Sequence, residues 1–297
     1  MSNQSSTYDP YFSVEEYYQS NADIINENFP DGYQIASIGD NTYKFLCDTI
    51  GLEENEMIMD FGCGNGQFLE FICKEYNSVG GLAIDISFNQ ALNTINRIHP
   101  YAVQGTERFN VFCKNMDAFT SAEEYFDKYF LIETIGYSAD INALVRAVSC
   151  ALKLGGKVLI KNPFKIVNDV EADKLVMEYF KDISVEYGYN DNSLGMIPDL
   201  NTVKDAFLSF GFSLESQIVK TYETETFNSA LENSLLSEKH PKYLHHIKFP
   251  PELNYSTNNY VECIILVFKK TAVAINEENL LTTLPAALKR EYENAPR

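Results

Sequence analysis

IMDFGCGNGQF, residues 58–68, is a short apolar run that ends in an acid and passes into three glycines, each separated from the next by one residue. Gly62, Gly64 and Gly66 permit backbone angles forbidden to other residues and remove the Cβ atoms that would bar a ligand from the main chain. In an open parallel sheet the first strand-to-helix turn lies beneath the ligand, beyond the carboxyl ends of the strands. Nineteen residues after Gly66, the run GLAIDI (81–86) brings Asp85 to the end of a second strand, the spacing at which a carboxylate accepts both hydroxyls of a ribose. Turn and acid together predict a nucleoside site. A dinucleotide turn runs G-x-G-x-x-G, whereas this one runs G-x-G-x-G with Asp60 two residues before the first glycine, which disfavours a pyrophosphate cradle.

Outward from this turn the pattern alternates. Strand MIMDF (57–61) leads to helix QFLEFICKEY (67–76), strand GGLAIDI (80–86), helix FNQALNTINRI (88–98) and strands FNVFCKN (109–115) and YFDKYFLIET (125–134). Helix INALVRAVSCALK (141–153) and strand GGKVLIKNPF (155–164) follow. Strands alternating with helices predict βαβ units with right-handed crossovers, hence an α/β fold with a doubly wound, mainly parallel sheet. A helix in NTVKDAFLSFGF, ending at Gly211, and two apolar runs, SLESQIVKT (213–221) and YVECIILVF (260–268), finish the sheet. Helical segments VEEYYQSNADIINENF and NTYKFLCDTIG, the second closing on Gly51, precede the first strand. The expected organisation is one domain over 1–297: an N-terminal helical cap at 1–50, a cofactor-binding core at 56–163, lid insertions at 164–200 and 222–259, and a C-terminal tail at 271–297. Connections as long as the two insertions are uncommon in a compact domain, and at one end of an α/β sheet they commonly cover the ligand.

Composition narrows the partners. A formal net charge of −19 and a pI near 4.6 argue against nucleic acid, whose binders carry a basic face, and against an anionic membrane. No apolar run reaches the length of a membrane helix, and the polar start MSNQSSTYDPYF does not read as an export signal. The six cysteines are scattered without a C-x-x-C pair, which fits a reducing, cytoplasmic location better than a disulfide framework or a zinc site.

With these residues in order the chain resembles the class I S-adenosylmethionine-dependent methyltransferases, whose Rossmann-like core carries the motif D/E-x-G-x-G-x-G, here Asp60, Gly62, Gly64 and Gly66. The resemblance covers roughly residues 56 to 220 and includes LKLGGKVLI (152–160). It implies S-adenosylmethionine as cofactor, with Asp85 and Ile86 at the ribose, Gln90 in DISFNQA close by, and Asp117 and Ala118 in CKNMDAF facing the adenine. In LIETIGYSAD, where a protein- or nucleic-acid-methylating relative would show a dedicated tetrad such as N-P-P-Y, Glu133 is followed four residues later by Tyr137. That spacing is similar to the branch that methylates alkene carbon, which includes the sterol and isoprenyl-diphosphate C-methyltransferases, and the isoprenyl-diphosphate members match more closely. Glu133 and Tyr137 are the implied catalytic residues.

An alkene that accepts a methyl group becomes cationic at carbon, and a carboxylate and aromatic faces stabilise such a charge. Glu133 would supply the carboxylate, and Tyr8, Tyr11, Tyr17, Tyr18, Tyr179, Tyr187 and Tyr189 are candidate faces. A diphosphate needs a cationic anchor. EKHPKYLHHIK gathers Lys242, His245, His246 and Lys248, along with Lys239 and His240, and Lys161 and Lys165 are rival anchors after the fifth strand. No metal-binding residues are assigned, and magnesium enters only as the companion of a diphosphate. The expected function is C-methylation of an isoprenyl diphosphate, a small-molecule acceptor. The alternatives are an N- or O-methyltransferase of a small metabolite and a non-catalytic S-adenosylmethionine-binding protein.

Overall fold

The structure, a computed structural model, describes residues 42–103, 107–121, 123–166, 198–220 and 261–272. Its elements are α1 (Thr42–Ile50), β1 (Met57–Phe61), α2 (Gln67–Glu75), β2 (Gly80–Asp85), α3 (Phe88–Ile98) and β3 (Phe109–Cys113). They continue with β4 (Phe126–Ile132), α4 (Ile141–Ala151), β5 (Leu152–Lys165), α5 (Leu200–Ser209), β6 (Phe212–Lys220) and β7 (Val261–Lys270). The strands form one seven-stranded sheet in the order β3-β2-β1-β4-β5-β7-β6. β1 to β5 are mutually parallel, whereas β7 runs antiparallel to both its neighbours.

Side chains alternate across the central strands as a sheet covered on both faces requires. Tyr129 and Leu131 of β4, Val158 and Ile160 of β5, and Ile264, Leu266 and Phe268 of β7 pack toward α4 and α5. Phe130, Leu159, Ile265 and Val267 pack toward α1 and α2 on the opposite face. Burying a Leu, Ile or Phe side chain contributes about 1.5–3 kcal/mol, so these two layers hold the strand ends in fixed relation. The helices start where short polar side chains cap them. Ser87 accepts from the Gln90 amide at the start of α3, Asp140 from Ala143 at α4, and Asp199 from Thr202 at α5. Gly51 closes α1 with φ +68°, and the Leu52 amide donates back to the Cys47 carbonyl at 2.9 Å.

Two expectations need correction. Leu152 and Lys153 belong to β5, not to the end of α4, because Leu152 pairs with Phe126 across a register shift in the ladder. The last helix ends at Ser209, short of Gly211, which instead takes φ +85° in the turn into β6. The helical segment of residues 14–29, the first expected insertion apart from 164–166 and 198–200, the whole of the second, and the tail beyond residue 272 lie outside the described residues. Among the described residues no helix is long and apolar enough to cross a membrane.

Candidate active site

The site forms where β1, β2, β4 and β5 end on the same edge of the sheet. Gly62, Gly64 and Gly66 take φ +74°, +54° and +81°, so the chain leaves β1 through three left-handed steps. The amides of Gly62 and Cys63 donate to the Ile84 carbonyl at 2.8 and 3.0 Å, tying the turn to β2. From α3, Thr94 Oγ1 donates to the Gly64 carbonyl at 2.7 Å and Arg97 Nε donates to the Asn65 carbonyl at 2.9 Å. Arg97 is itself held by Glu70 at 2.8 Å. The two sides of the turn differ. A Cβ at Gly62 would lie 2.2 Å from Thr134 Cγ2, whereas one at Gly64 would meet nothing within 4 Å among the described residues beyond its chain neighbours.

Two carboxylates stand against the turn. Asp85, at the end of β2, accepts from the Gly64 amide at 2.9 Å through Oδ2 and from the Ser87 amide at 2.9 Å through Oδ1. Burial pushes its pKa up to about 6, against the pull of those amide donors. Asp60, near the end of β1, is 2% exposed, and its Oδ2 has no hydrogen-bond partner among the described residues. Burial and then the nearby Asp85 push its pKa up to about 8. Gln90 Oε1, Thr134 Oγ1 and Asn65 Nδ2 are likewise buried without partners among the described residues. An unpaired buried polar atom costs roughly 1–3 kcal/mol, so a group of them around one turn marks the surface of a ligand that supplies the missing bonds. Asp60 Oδ2 and Gln90 Oε1 call for donors or positive charge, Asn65 Nδ2 calls for an acceptor, and the Thr134 hydroxyl can take either part.

The raised acids fix the direction of a pH dependence. A carboxyl whose folded pKa exceeds its unfolded value binds its proton more tightly when folded, so its contribution to stability falls as pH rises from about 4 through the folded pKa. Asp60→Asn removes that penalty. The thermal midpoint of the ligand-free variant is expected to gain on the parent protein as pH is raised from about 5 to about 9. A constant difference across this range would show that Asp60 carries no such proton.

The other expected site residues are placed as follows. Ile86 follows Asp85, and its carbonyl accepts from Cys113 Sγ at 3.3 Å. Asp117 and the exposed Ala118 lie in a single 3-10 turn after β3. Asp117 Oδ1 accepts from Ser138 Oγ at 2.7 Å, and Oδ2 accepts from the Ala139 and Asp140 amides at 2.8 and 3.3 Å. It therefore ties the turn after β3 to the entry of α4. Tyr137 closes the 3-10 turn Ile135–Tyr137 that follows Glu133 and Thr134, its amide donating to the Thr134 carbonyl at 3.0 Å.

Lys161 departs from expectation. Read as a diphosphate anchor, it is 0% exposed and its ammonium lies 2.5 Å from Glu133 Oε1. A cation sealed from solvent and already paired is not presented to a diphosphate, so that role is withdrawn. Lys165 is half-buried, and its amide donates to the Pro198 carbonyl at 3.0 Å. Lys242, His245, His246 and Lys248 lie outside the described residues, as do Tyr8, Tyr11, Tyr17, Tyr18, Tyr179, Tyr187 and Tyr189. Thr94, Arg97 and Thr134 were not anticipated. Thr94 and Arg97 sit three residues apart on α3, a spacing shared by any pair on one helix face, and a lone Thr after a strand carries no signal.

Residues 58–156 match the family described as Methyltransferase domain. This stretch is similar to a methyltransferase domain. It holds the whole glycine turn, both raised carboxylates and the segment from Glu133 to Tyr137. Phosphoethanolamine N-methyltransferase 1 of Triticum aestivum is 31% identical over 134 residues, covering 45% of this chain and 26% of that protein. The match thus spans about a quarter of the length of the curated relative. Among solved structures, phosphoethanolamine N-methyltransferase 2 of Haemonchus contortus superposes with a TM-score of 0.64 at 17% identity, covering 90% of this chain and 61% of that one. Geranyl diphosphate C-methyltransferase of Streptomyces coelicolor A3(2) gives 0.59 at 15%, covering 77% of each. The cyclopropane synthase MmaA2 of Mycobacterium tuberculosis gives 0.66 at 14%, covering 86% and 98%. At these identities the likeness establishes the Rossmann-like class I methyltransferase fold.

Proposed function

We propose that the protein binds S-adenosylmethionine in the Gly62–Gly66 cradle and transfers its methyl group to a small-molecule acceptor. The observation that carries this reading is the set of buried polar atoms without partners among the described residues, Asp60 Oδ2, Gln90 Oε1 and Thr134 Oγ1, around a turn where a Cβ at Gly64 would meet none of the described atoms beyond its chain neighbours within 4 Å. The cofactor's ammonium, ribose hydroxyls and sulfonium are the donors and charge such a surface asks for. When bound, it supplies an electrophilic methyl group. The chain's own part is to hold and orient: Asp85 takes the ribose, Asp60 the positive end of the methionine part, and Asp117 the adenine amine.

For the acceptor, C-methylation of an isoprenyl diphosphate is supported by Glu133 just after β4, with Tyr137 in the 3-10 turn that follows, and by the geranyl diphosphate complex of the Streptomyces structure. That neighbour also holds Mg2+, and magnesium would accompany a diphosphate here. With Lys161 withdrawn, the anchor falls to Lys165 or to Lys242, His245, His246 and Lys248. A second reading, N-methylation of a phosphorylated amine, is favoured by the pairing of Glu133 with Lys161, which leaves no unshared anion for a carbocation, and by the similarity to phosphoethanolamine N-methyltransferases. Incubation with methyl-labelled cofactor and a panel of prenyl diphosphates and phosphorylated amines, followed by mass analysis, distinguishes them. No labelled product from a protein that binds the cofactor would point to a binding protein without transferase activity.

Removal of the ribose acid gives a direct check. Asp85→Ala is expected to weaken S-adenosylmethionine by about 2–3 kcal/mol, since the ribose loses a charged partner and the Gly64 amide its acceptor. Calorimetric titration of the folded variant measures it, and unchanged affinity would remove Asp85 from the cofactor site.

A further inference from the structure

Glu133 occupies an uncomfortable position. It is the first residue after β4 and takes φ +58°, a conformation that side chains bearing a Cβ rarely adopt. Such strain persists only where the surroundings over-determine it. Lys161 on the neighbouring β5 supplies two ties. The Glu133 amide donates to the Lys161 carbonyl at 2.7 Å, extending the ladder by one bond. The Lys161 ammonium then reaches Glu133 Oε1 at 2.5 Å, with the lysine wholly buried and the glutamate side chain 10% exposed.

A lysine rarely gives up its hydration entirely, and a buried pair contributes little to stability against an apolar pair of similar volume. In some proteins such a pair instead fixes one geometry. What Lys161 fixes is the carboxylate at the end of β4, and with it the chain direction into Thr134, whose Cγ2 packs on Gly62. The pair is also neutral as a whole, so an acceptor beside Glu133 meets a held hydrogen-bond acceptor in place of a lone anion.

We infer that Lys161 is a positioning residue: its ammonium holds Glu133 in the left-handed conformation that presents this carboxylate to the acceptor. The inference rests on the reading that the ends of β4 and β5 face the acceptor of a methyl transfer.

The test compares Lys161→Met, which removes the donor, with Lys161→Gln, which removes the charge but keeps a donor within reach of Glu133. Lys161→Met is expected to lower kcat by about tenfold or more while S-adenosylmethionine affinity stays within about twofold, and Lys161→Gln is expected to recover most of the lost turnover. In the same proteins the amide resonances of Glu133 and Thr134 should shift strongly in the Met variant and weakly in the Gln variant. Equal loss of turnover and cofactor affinity, or Met and Gln variants that behave alike, would overturn the assignment. If Lys161→Met does not fold, the Gln variant decides by itself: an unshifted Glu133 amide supports positioning by the donor, and a displaced one overturns it. Should the unmodified protein transfer no methyl group to any acceptor, the functional reading fails, and the two amides still decide whether Lys161 holds Glu133.

Discussion

Gly64→Ala is expected to lower S-adenosylmethionine affinity by about a hundredfold or more, nearly 3 kcal/mol, while leaving the protein folded. At φ +54° an alanine is strained by roughly 1–2 kcal/mol, a tolerable loss for a domain with two well-filled core layers. Among the described residues beyond its chain neighbours, its new methyl group meets nothing within 4 Å, so it would stand in the space over the turn where the cofactor would approach the main chain. Gly62→Ala should behave in the opposite sense. There the methyl group falls 2.2 Å from Thr134 Cγ2 and 2.9 Å from Thr134 Cβ, on a stiff β-branched side chain packed at the strand end. Its principal cost is to folding, about 3–4 kcal/mol from strain and overpacking together. Thermal unfolding and calorimetric titration of both variants measure the contrast. A Gly64→Ala protein that binds the cofactor normally would show that the ligand does not lie over this amide.

Glu133→Gln has the second large effect, and its size separates the two acceptor readings. If positive charge develops on an alkene carbon beside Glu133, the loss of negative charge should lower kcat by about a hundredfold or more. If the acceptor is an amine that arrives neutral, the loss should be that of one positioning hydrogen bond, on the order of tenfold. The same change leaves Lys161 buried without its anion, which costs about 3–5 kcal/mol of stability. Turnover must therefore be expressed per folded molecule, from single-turnover rates at a temperature where unfolding curves show the variant intact. Near-normal turnover on the true acceptor would remove Glu133 from the chemistry.

The contrast between these residues shows what could be read in advance. The turn was readable because its three glycines, the acid before them and Asp85 beyond them are set by local spacing on one βαβ unit. The strands were readable because each is an apolar run bounded by breakers, and MIMDF and FNQALNTINRI coincide with β1 and α3. Contacts that cross the sheet leave no such trace. Lys161 meets Glu133 only because Ile132 and Lys161 are register partners in adjacent strands, and a shift of one residue would turn the lysine to the other face. As a charge at the ligand end of the sheet it looked like an anchor, and only its burial shows it to be a tie. Thr94 and Arg97 depend in the same way on how α3 lies across the turn.

The position of β7 has a consequence for how the molecule comes into being. Antiparallel to both neighbours, it fills the slot between β5 and β6, so neither of those strands finds its partner on that side until Lys270 has been synthesised. During translation β5 waits with an open, apolar edge at Val158, Leu159 and Ile160, the kind of edge that invites pairing with another chain. Vectorial folding can assemble the cofactor half early, because β1, β2, β3 and β4 and their helices are contiguous in sequence. The other half must be held in readiness for a strand that arrives late, which makes the nascent chain most vulnerable to misassembly just before its sheet is complete.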